Sequence, residues 1–276
     1  EMSASLVGSE MCIRDRIKYY KHYTKGVDVK ADQEWIINRY QAMVDELGFK
    51  STEMTKIAKS INDLATLPIE DNDFLYDTFL AAGEDNNAKL IAEYFRNNGI
   101  EARYVHPRQA GIFVSSEPGN ARILPGAYDK LEELRESDEV LVIPGFFGVT
   151  PDNQICTFSR GGSDITGSIV AKAVHADVYE NWTDVSGFLV TDPRIVENPA
   201  VIETITYREL RELSYMGATV LHEDAIFPVR KAGIPINIRN TNRPEDDGTM
   251  IVESTCRIPA YTITGCLLYT SPSPRD

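Results

Sequence analysis

The residues best suited to chemistry stand in one run at 158–168, which reads FSRGGSDITGS. An apolar stretch at 140–149 precedes this run, and an amphipathic helical pattern follows it. A Gly-Gly turn before a helix lets backbone N–H groups approach an anion, and the helix dipole adds a favourable field there. Arg160 adds a fork of donors suited to a carboxylate or a phosphate. The run therefore predicts a site for a small anionic ligand, and the alternative is a tight strand-to-helix turn with a surface arginine.

A second run of chemical interest lies at 182–194 and reads WTDVSGFLVTDPR. Its aspartates, Asp184 and Asp192, could contact a ligand, and Arg194 could contact phosphate. Aspartate before glycine or proline is also a common turn residue, and Arg194 could simply pair with a nearby acid. The pattern by itself leaves these alternatives open.

Composition excludes several classes of protein. The 276 residues are 42% apolar and 25% charged, which favours one large α/β domain, or one domain and part of another. The net charge of −14 and the lack of a Lys/Arg cluster argue against a nucleic-acid partner, and no apolar run is long enough to span a membrane. The four cysteines and four histidines show no metal spacing, which predicts no metal site in the protein and favours a reducing cytoplasm.

Helical and strand patterns alternate along the chain. The stretch at 140–143 has no polar alternation, as is typical of a strand buried on both faces. Alternation of this kind predicts an α/β protein, an αβα sandwich with a mostly parallel central sheet. The predicted helices, besides the one after the Gly-Gly turn, are 31–47, 51–66, 73–98 (with a break or kink near Gly83), 128–136, 207–215 and 217–232. The predicted strands are 102–105, 112–115, 122–124, 140–143, 177–180, 234–238 and 250–252.

The two ends of the chain differ from its middle. Residues 1–16 and 266–276 show neither helical nor strand periodicity, and both resemble translated adapter sequence. We expect both to be non-native tails, and the alternative is a pair of flexible native tails.

With both runs in view, residues 17–255 resemble the catalytic domain of aspartate kinases (aspartokinases), in the amino-acid kinase superfamily. The resemblance depends on five segments, namely Gly83-Glu84, 158–164, 182–187, 191–194 and 217–222. It implies the amino-acid kinase fold and ATP-dependent phosphorylation of the side-chain carboxylate of L-aspartate. The product would be 4-phospho-L-aspartate, the first intermediate toward lysine, threonine and methionine.

The resemblance also implies roles for particular residues. Arg160 and Asp164 would be catalytic, and Glu84 would reach the ammonium group of the substrate. The other substrate-binding positions, besides Glu84 and Arg160, are Gly161, Gly162 and Ser163. The nucleotide-binding positions are Thr183, Asp184, Leu189, Arg194, Thr219 and Val220, the last two standing where the family often has Lys-Val. ATP and Mg²⁺ are the implied cofactors, and the full-length enzyme would form a homo-oligomer.

Two family segments are expected to be missing. Family members begin with a strand that ends in Lys-Phe-Gly-Gly-Ser, and no such segment precedes Ile17. Residues 256–265 would start a linker to an absent ACT regulatory domain. We therefore expect a chain that is incomplete at both ends and inactive as given. The alternatives are a non-catalytic fragment that binds only nucleotide or amino acid, and another amino-acid kinase such as a glutamate 5-kinase.

Overall fold

The computed structural model describes residues 4–69, 73–159, 161–191, 195–215, 221 and 223–254. The chain divides into two compact units. The amino-terminal unit is Ala4–Thr166, and the carboxy-terminal unit is described from Gly167 to residue 254. Each unit is described by itself below.

Four helices begin the amino-terminal unit. They are α1 (Ala4–Thr24), α2 (Lys30–Leu47), α3 (Met54–Asp63) and α4 (Asp73–Asn97). In α2 the buried residues Ile36, Tyr40 and Val44 recur every four positions, so one helix face joins a core that includes Phe79 and Leu90. Gly48 ends α2 in the left-handed conformation that glycine adopts without strain.

The sequence pattern did not predict two features of these helices. Helix α1 begins at Ala4, within the tract at 1–16 that shows no helical periodicity, and Asp15 pairs with Arg39 on α2 at 2.8 Å. The non-native origin of that tract stays a prediction. The expected break near Gly83 is also absent, since α4 is continuous. Glycine within a helix costs about 1 kcal/mol, and tertiary packing outweighs this cost at Gly83, which is buried and accepts a hydrogen bond from the Tyr40 hydroxyl.

Four strands complete the amino-terminal unit. They are β1 (Ala102–Tyr104), β2 (Val140–Val142), β3 (Phe147–Val149) and β4 (Ile155–Thr157), with the short helices α5 (Pro107–Ala110) and α6 (Ala127–Glu132). Strands β1 and β2 pair in parallel, and β3 and β4 form an antiparallel hairpin. The strands expected near 113 and 123 appear as isolated bridges. Strand β2 is not buried on both faces as predicted, because Val140 is 45% exposed.

The carboxy-terminal unit contains a four-stranded mixed sheet in the order β5-β7-β8-β6. The strands are β5 (Tyr179–Thr183), β6 (Thr204–Thr206), β7 (Ile236–Asn240) and β8 (Thr249–Val252). Helix α7 (Gly162–Ala173) contains the boundary between the units, and α8 (Tyr207–Tyr215) and α9 (Glu223–Ala232) follow. Residues of α8, α9 and the strands share one core, including Leu210, Val229, Ile236 and Ile251.

The α/β class predicted from the sequence is confirmed. Helices alternate with strands, and three of the five strand ladders in the described residues are parallel. Both β5 and β7 begin two residues later than predicted, so Thr183 is the last residue of β5. Within the same described part of the chain, no helix is both long and apolar enough to cross a membrane.

Candidate active site

Helix α4 presents one polar stripe toward the strands of the amino-terminal unit. Asp77 and Glu84 lie seven residues apart, which is nearly two full turns, so they share a helix face with the small residues Ala81 and Ala88. The helix contacts β1, β2 and β4. The stripe therefore places acidic side chains beside strand ends.

Asp77 fixes the end of β4. Its side chain is buried, and one carboxylate oxygen, Oδ2, accepts the backbone N–H groups of Thr157 at 2.6 Å and Gly119 at 3.1 Å. Burial raises the pKa of this carboxyl group, and the backbone hydrogen bonds oppose the rise. Thr157 is the last residue of β4 and precedes Arg160 by three positions, so Asp77 positions the strand that leads into the Gly-Gly run.

Asp85 fixes the neighbouring turn of α4 to the end of β1. Its carboxylate accepts a hydrogen bond from the hydroxyl of Tyr104, the last residue of β1. The same carboxylate pairs with Lys89 Nζ at 2.6 Å. Lys89 Nζ also lies 5.4 Å from the centre of the Tyr104 ring. Three side chains thus join α4 to β1 directly after Glu84.

Glu84 differs from these two aspartates. Among the described residues, no hydrogen bond or ion pair engages its carboxylate. The side chain is partly buried, and burial raises the pKa of the carboxyl group. A partly buried carboxylate without a partner is suited to receive a cationic group from a ligand.

The loop after β2 is tied to the start of α7. The Phe146 N–H donates to Thr166 Oγ1 at 2.9 Å, and Thr166 Oγ1 donates to the Gly162 carbonyl at 3.0 Å. The Phe146 carbonyl accepts the N–H of Phe158 at 2.8 Å, which joins the same loop to the residue after β4. Phe146 has a φ of +63°, a strained value for a residue with a side chain.

Two glycines allow this loop and helix to approach closely. A Cβ atom at Gly145 would lie 3.2 Å from Ser163 Cα, and one at Gly162 would lie 2.9 Å from Phe146 Cβ. Ser163 is the second residue of α7, as predicted, and its side chain is exposed. Asp164 lies in the same first turn, where an acidic side chain is favourable.

These features lie at or directly after the ends of strands in the amino-terminal unit. The turn of α4 that contains Glu84 is bound to the end of β1, Gly145 follows the adjacent parallel strand β2, and Phe158 follows β4. Ligands of parallel sheets bind outside the carboxyl ends of the strands. In the amino-terminal unit, Gly162 and Ser163 thus lie beside the loop after β2, and the turn of α4 that contains Glu84 is bound to the end of β1, the parallel neighbour of β2. That these residues share one ligand site stays a prediction.

A second strand edge lies in the carboxy-terminal unit. Strands β5 and β7 are parallel, and Thr183 pairs with Asn240 at their carboxyl ends. The Thr183 carbonyl accepts both the N–H and the hydroxyl of Thr241, at 2.8 and 2.9 Å. The Thr183 hydroxyl lies 3.3 Å from an Asp184 carboxylate oxygen, and Asn240 Nδ2 donates to Ser186 Oγ at 2.8 Å.

The turn that follows β5 is held by the side-chain hydroxyl of Thr249 on β8. Gly187 has a φ of +97°, and a Cβ atom there would lie 2.3 Å from Thr249 Oγ1. That hydroxyl accepts the Phe188 N–H at 2.8 Å and donates to the Ile202 carbonyl at 2.6 Å. Leu189 then bridges Val201. The predicted nucleotide-contacting residues Thr183, Asp184 and Leu189 therefore belong to one fixed turn.

Four predicted site residues, Arg160, Arg194, Thr219 and Val220, lie outside the described residues. The sequence interpretation also missed residues that the structure places at the strand ends. Asp77 could have been found from its helical spacing to Glu84, and Asn240 and Thr241 from their place after an apolar strand. Nothing in the local pattern of Asp85 and Tyr104 indicates that they pair.

Comparisons with known proteins show which family this chain resembles. The amino acid kinase family profile matches residues 18–240. Aspartokinase 3 of Bacillus subtilis is 48% identical over 219 residues, which cover 79% of this chain and 48% of that protein. Aspartokinase 2 of the same organism is 34% identical over 211 residues, covering 76% of this chain and 50% of the relative. The chain spans about half the length of the curated relatives it matches.

Solved structures give the same result. The aspartate kinase of Clostridium acetobutylicum is 41% identical, with a TM-score of 0.75 over 90% of this chain and 53% of that one. Aspartokinase III of E. coli, solved in complex with aspartate and ADP, shares the fold at 24% identity, with a TM-score of 0.73 over 90% of this chain and 57% of that one. Since the family profile covers most of the sequence and the fold agrees, the chain belongs to the amino acid kinase family.

Proposed function

We propose that this chain supplies the catalytic domain of an enzyme that uses ATP to phosphorylate the side-chain carboxylate of L-aspartate. The product is 4-phospho-L-aspartate. The observations behind the proposal are the partly buried carboxylate of Glu84, which has no partner among the described residues, and the N-terminus of α7 at Gly162. An amino acid with a second carboxylate complements both features, and the similarity to aspartokinases supports L-aspartate in particular.

In this proposal the amino-terminal unit binds the amino acid. Glu84 receives the ammonium group, and the ion pair offsets the cost of burying the Glu84 carboxylate. Backbone N–H groups at Gly161, Gly162 and Ser163 face the substrate carboxylate at the helix N-terminus. The resemblance assigns a second, bidentate contact to Arg160 and a role in ordering nearby donors to Asp164.

The turn after β5 binds the nucleotide in this proposal. Thr183, Asp184 and Leu189 lie at or directly after the carboxyl end of a parallel strand, where ligands of α/β proteins bind. The resemblance adds Arg194, Thr219 and Val220. The described residues contain no group of three or more His, Cys, Asp or Glu side chains placed to ligate a metal. In this proposal Mg²⁺ is held by the phosphates of ATP, where it neutralises charge.

The chemistry required is mainly positioning and charge neutralisation. Phosphoryl transfer needs little covalent assistance from the protein, but a carboxylate and a triphosphate repel each other as they meet. The N-terminus of α7, Arg160 and Mg²⁺ would offset this repulsion. Loss of one positioned donor of this kind typically costs about 3 kcal/mol in the transition state.

The wider setting follows the same resemblance. The product would lead toward lysine, threonine and methionine, and the enzyme would act in the cytoplasm as a homo-oligomer. The cysteine composition supports a reducing compartment.

Trapping of the acyl phosphate with hydroxylamine tests the activity. The chain with an N-terminal segment of the Lys-Phe-Gly-Gly-Ser type restored should form aspartyl hydroxamate from ATP, Mg²⁺ and L-aspartate, with far less product from L-glutamate, whereas the chain as given should form little. Glu84→Gln should lower this activity steeply, whereas Glu34→Gln, at an exposed position on α2, should not. Preference for L-glutamate would favour another amino-acid kinase. Calorimetric binding of L-aspartate without turnover would instead favour the non-catalytic alternative.

A further inference from the structure

The contact between Asp85 and Lys89 is more than a surface ion pair. The chain offers a comparison in Lys59 and Asp63, which form a pair at the same (i, i+4) spacing and the same distance of 2.6 Å. The side chains of Lys59 and Asp63 are 75% and 54% exposed, whereas those of Lys89 and Asp85 are 22% and 17% exposed. Exposed helical pairs of this kind contribute only about 0.3–0.5 kcal/mol, and the shielded pair is screened less by water and salt.

Through Tyr104, the Asp85–Lys89 pair on α4 is also hydrogen-bonded to strand β1. Burial, followed by the nearby Asp85 carboxylate, raises the pKa of the Tyr104 hydroxyl, so the hydroxyl remains protonated and donates to Asp85. Tyr104 ends β1 and pairs in register with Val142, three residues before Gly145. The hydrogen bond therefore joins α4 to the same strand edge that leads to the Gly145–Ser163 contact.

The other charged neighbours of Asp85 do not replace these two partners. His106, two residues beyond Tyr104, interacts electrostatically with Asp85, Lys89 and Arg108. Burial lowers the pKa of His106, and its Nδ1 accepts the N–H of Arg108, so the ring is neutral at neutral pH. The Asp85 charge is thus compensated by Lys89 and by the Tyr104 hydroxyl.

We propose that Asp85, Tyr104 and Lys89 form a positioning group that holds the adjacent Glu84 carboxylate at the strand edge and thereby sets the affinity for the amino-acid substrate. Glu84 itself has no partner among the described residues, so only the backbone of α4 fixes its location. The tie at Asp85 is the nearest contact that fixes this turn of the helix against the strands. The identity of the ligand rests on the function proposed above, whereas the positioning of Glu84 does not.

A ligand-free experiment tests the positioning. Tyr104→Phe removes one hydroxyl and leaves every charge in place. Carbon-detected NMR measures the pKa of the Glu84 carboxyl group. In Tyr104→Phe this pKa should fall toward that of a solvated glutamate, because water can reach the carboxyl group once the helix turn is released. Lys59→Met, in the exposed pair, should leave this titration unchanged. An unchanged Glu84 titration in folded Tyr104→Phe would overturn the proposal. If Tyr104→Phe does not fold, Asp85→Glu, which keeps every charge and displaces the carboxylate that accepts the Tyr104 hydroxyl, provides the same test.

Ligand binding tests the consequence. In Tyr104→Phe the affinity for L-aspartate should fall roughly tenfold, since misplacement of a binding group by less than 1 Å suffices for such a loss. The affinity for ATP and the melting temperature should change little, whereas general destabilisation would change both. Equal L-aspartate affinity in the variant and the parent would contradict the proposal. A parent that shows the expected Glu84 titration but binds no L-aspartate would instead contradict the proposed function.

Discussion

The two candidate regions are held in place by different chemistry. At the strand edge of the amino-terminal unit, the carboxylates of Asp77 and Asp85 bind a backbone N–H group and a tyrosine hydroxyl at the ends of strands. At the turn after β5 in the carboxy-terminal unit, the hydrogen bonds are made by uncharged groups. Thr241, Asn240 and Thr249 supply hydroxyl, amide and backbone groups at separations of 2.6–2.9 Å.

This difference determines which perturbation each region tolerates. A hydrogen bond to a buried carboxylate depends on the protonation state of that carboxylate. Removal of the carboxylate leaves buried donors without an acceptor. A neutral tie does not titrate near neutral pH, but the turn it holds relies on close approach at Gly187. The amino-terminal edge should therefore respond to charge and pH, and the carboxy-terminal edge to steric change.

The largest effect is expected from Gly248→Ala, next to β8. The residue has a φ of +72°, and a Cβ atom would lie 1.8 Å from the Ile238 carbonyl oxygen, so the β7–β8 connection cannot keep its geometry. We expect a loss of roughly 4 kcal/mol in the free energy of unfolding. In a Trp35→Phe background, Trp182 fluorescence during urea unfolding reports on this unit. Gly233→Ala is the matched control, since its φ is +69° and the nearest atom to a Cβ is 3.7 Å away. If both variants lost the same free energy of unfolding, the positive φ, and not the close approach to Ile238, would account for the loss.

A smaller loss is expected from Asp77→Ala in the amino-terminal unit. The change leaves the buried N–H group of Thr157 without an acceptor, which costs about 2–3 kcal/mol. Asp77→Asn keeps an acceptor oxygen and should lose less. Urea unfolding followed by Trp35 in a Trp182→Phe background, with hydrogen exchange at the Thr157 amide, measures both variants. If the Thr157 amide exchanged as slowly in Asp77→Ala as in the parent, the Asp77 carboxylate would not be what holds the end of β4.

The smallest effect is a pH dependence of ligand affinity. Burial raises the pKa of Glu84, and only its ionised form attracts an ammonium group. As pH falls through this raised pKa, Glu84 takes up a proton and the affinity for L-aspartate should fall severalfold, at a higher pH than an ordinary glutamate would require. Adenosine, which does not titrate in this range, should bind with constant affinity. Calorimetry from pH 7.5 to 5 measures both ligands, and Glu84→Gln should make the L-aspartate curve flat. If the affinity for adenosine fell in the same way as pH decreases, the two regions would not differ in their response to pH.

Local patterns in the sequence predicted the elements that local physics controls. The apolar spacing of α2 and its stop at Gly48 gave a helix within one residue of the observed bounds. The Gly-Gly turn gave the start of α7, with Ser163 in its first turn. Strands β5 and β7 extend further than predicted because their pairing, which matches Thr183 with Asn240, sets their ends.

The sequence by itself determined the α/β class, the start of α7 and the similarity that assigns the family. Each depends on residue type and on spacing over a few positions, which fix turn geometry and helix periodicity. Only the tertiary structure decided what the acidic residues of α4 do. Asp77 accepts the N–H of Thr157, 80 positions further along the chain, and Asp85 accepts the hydroxyl of Tyr104 on a different element. Glu84, between them in sequence, has no partner among the described residues, a fact that its local sequence does not indicate.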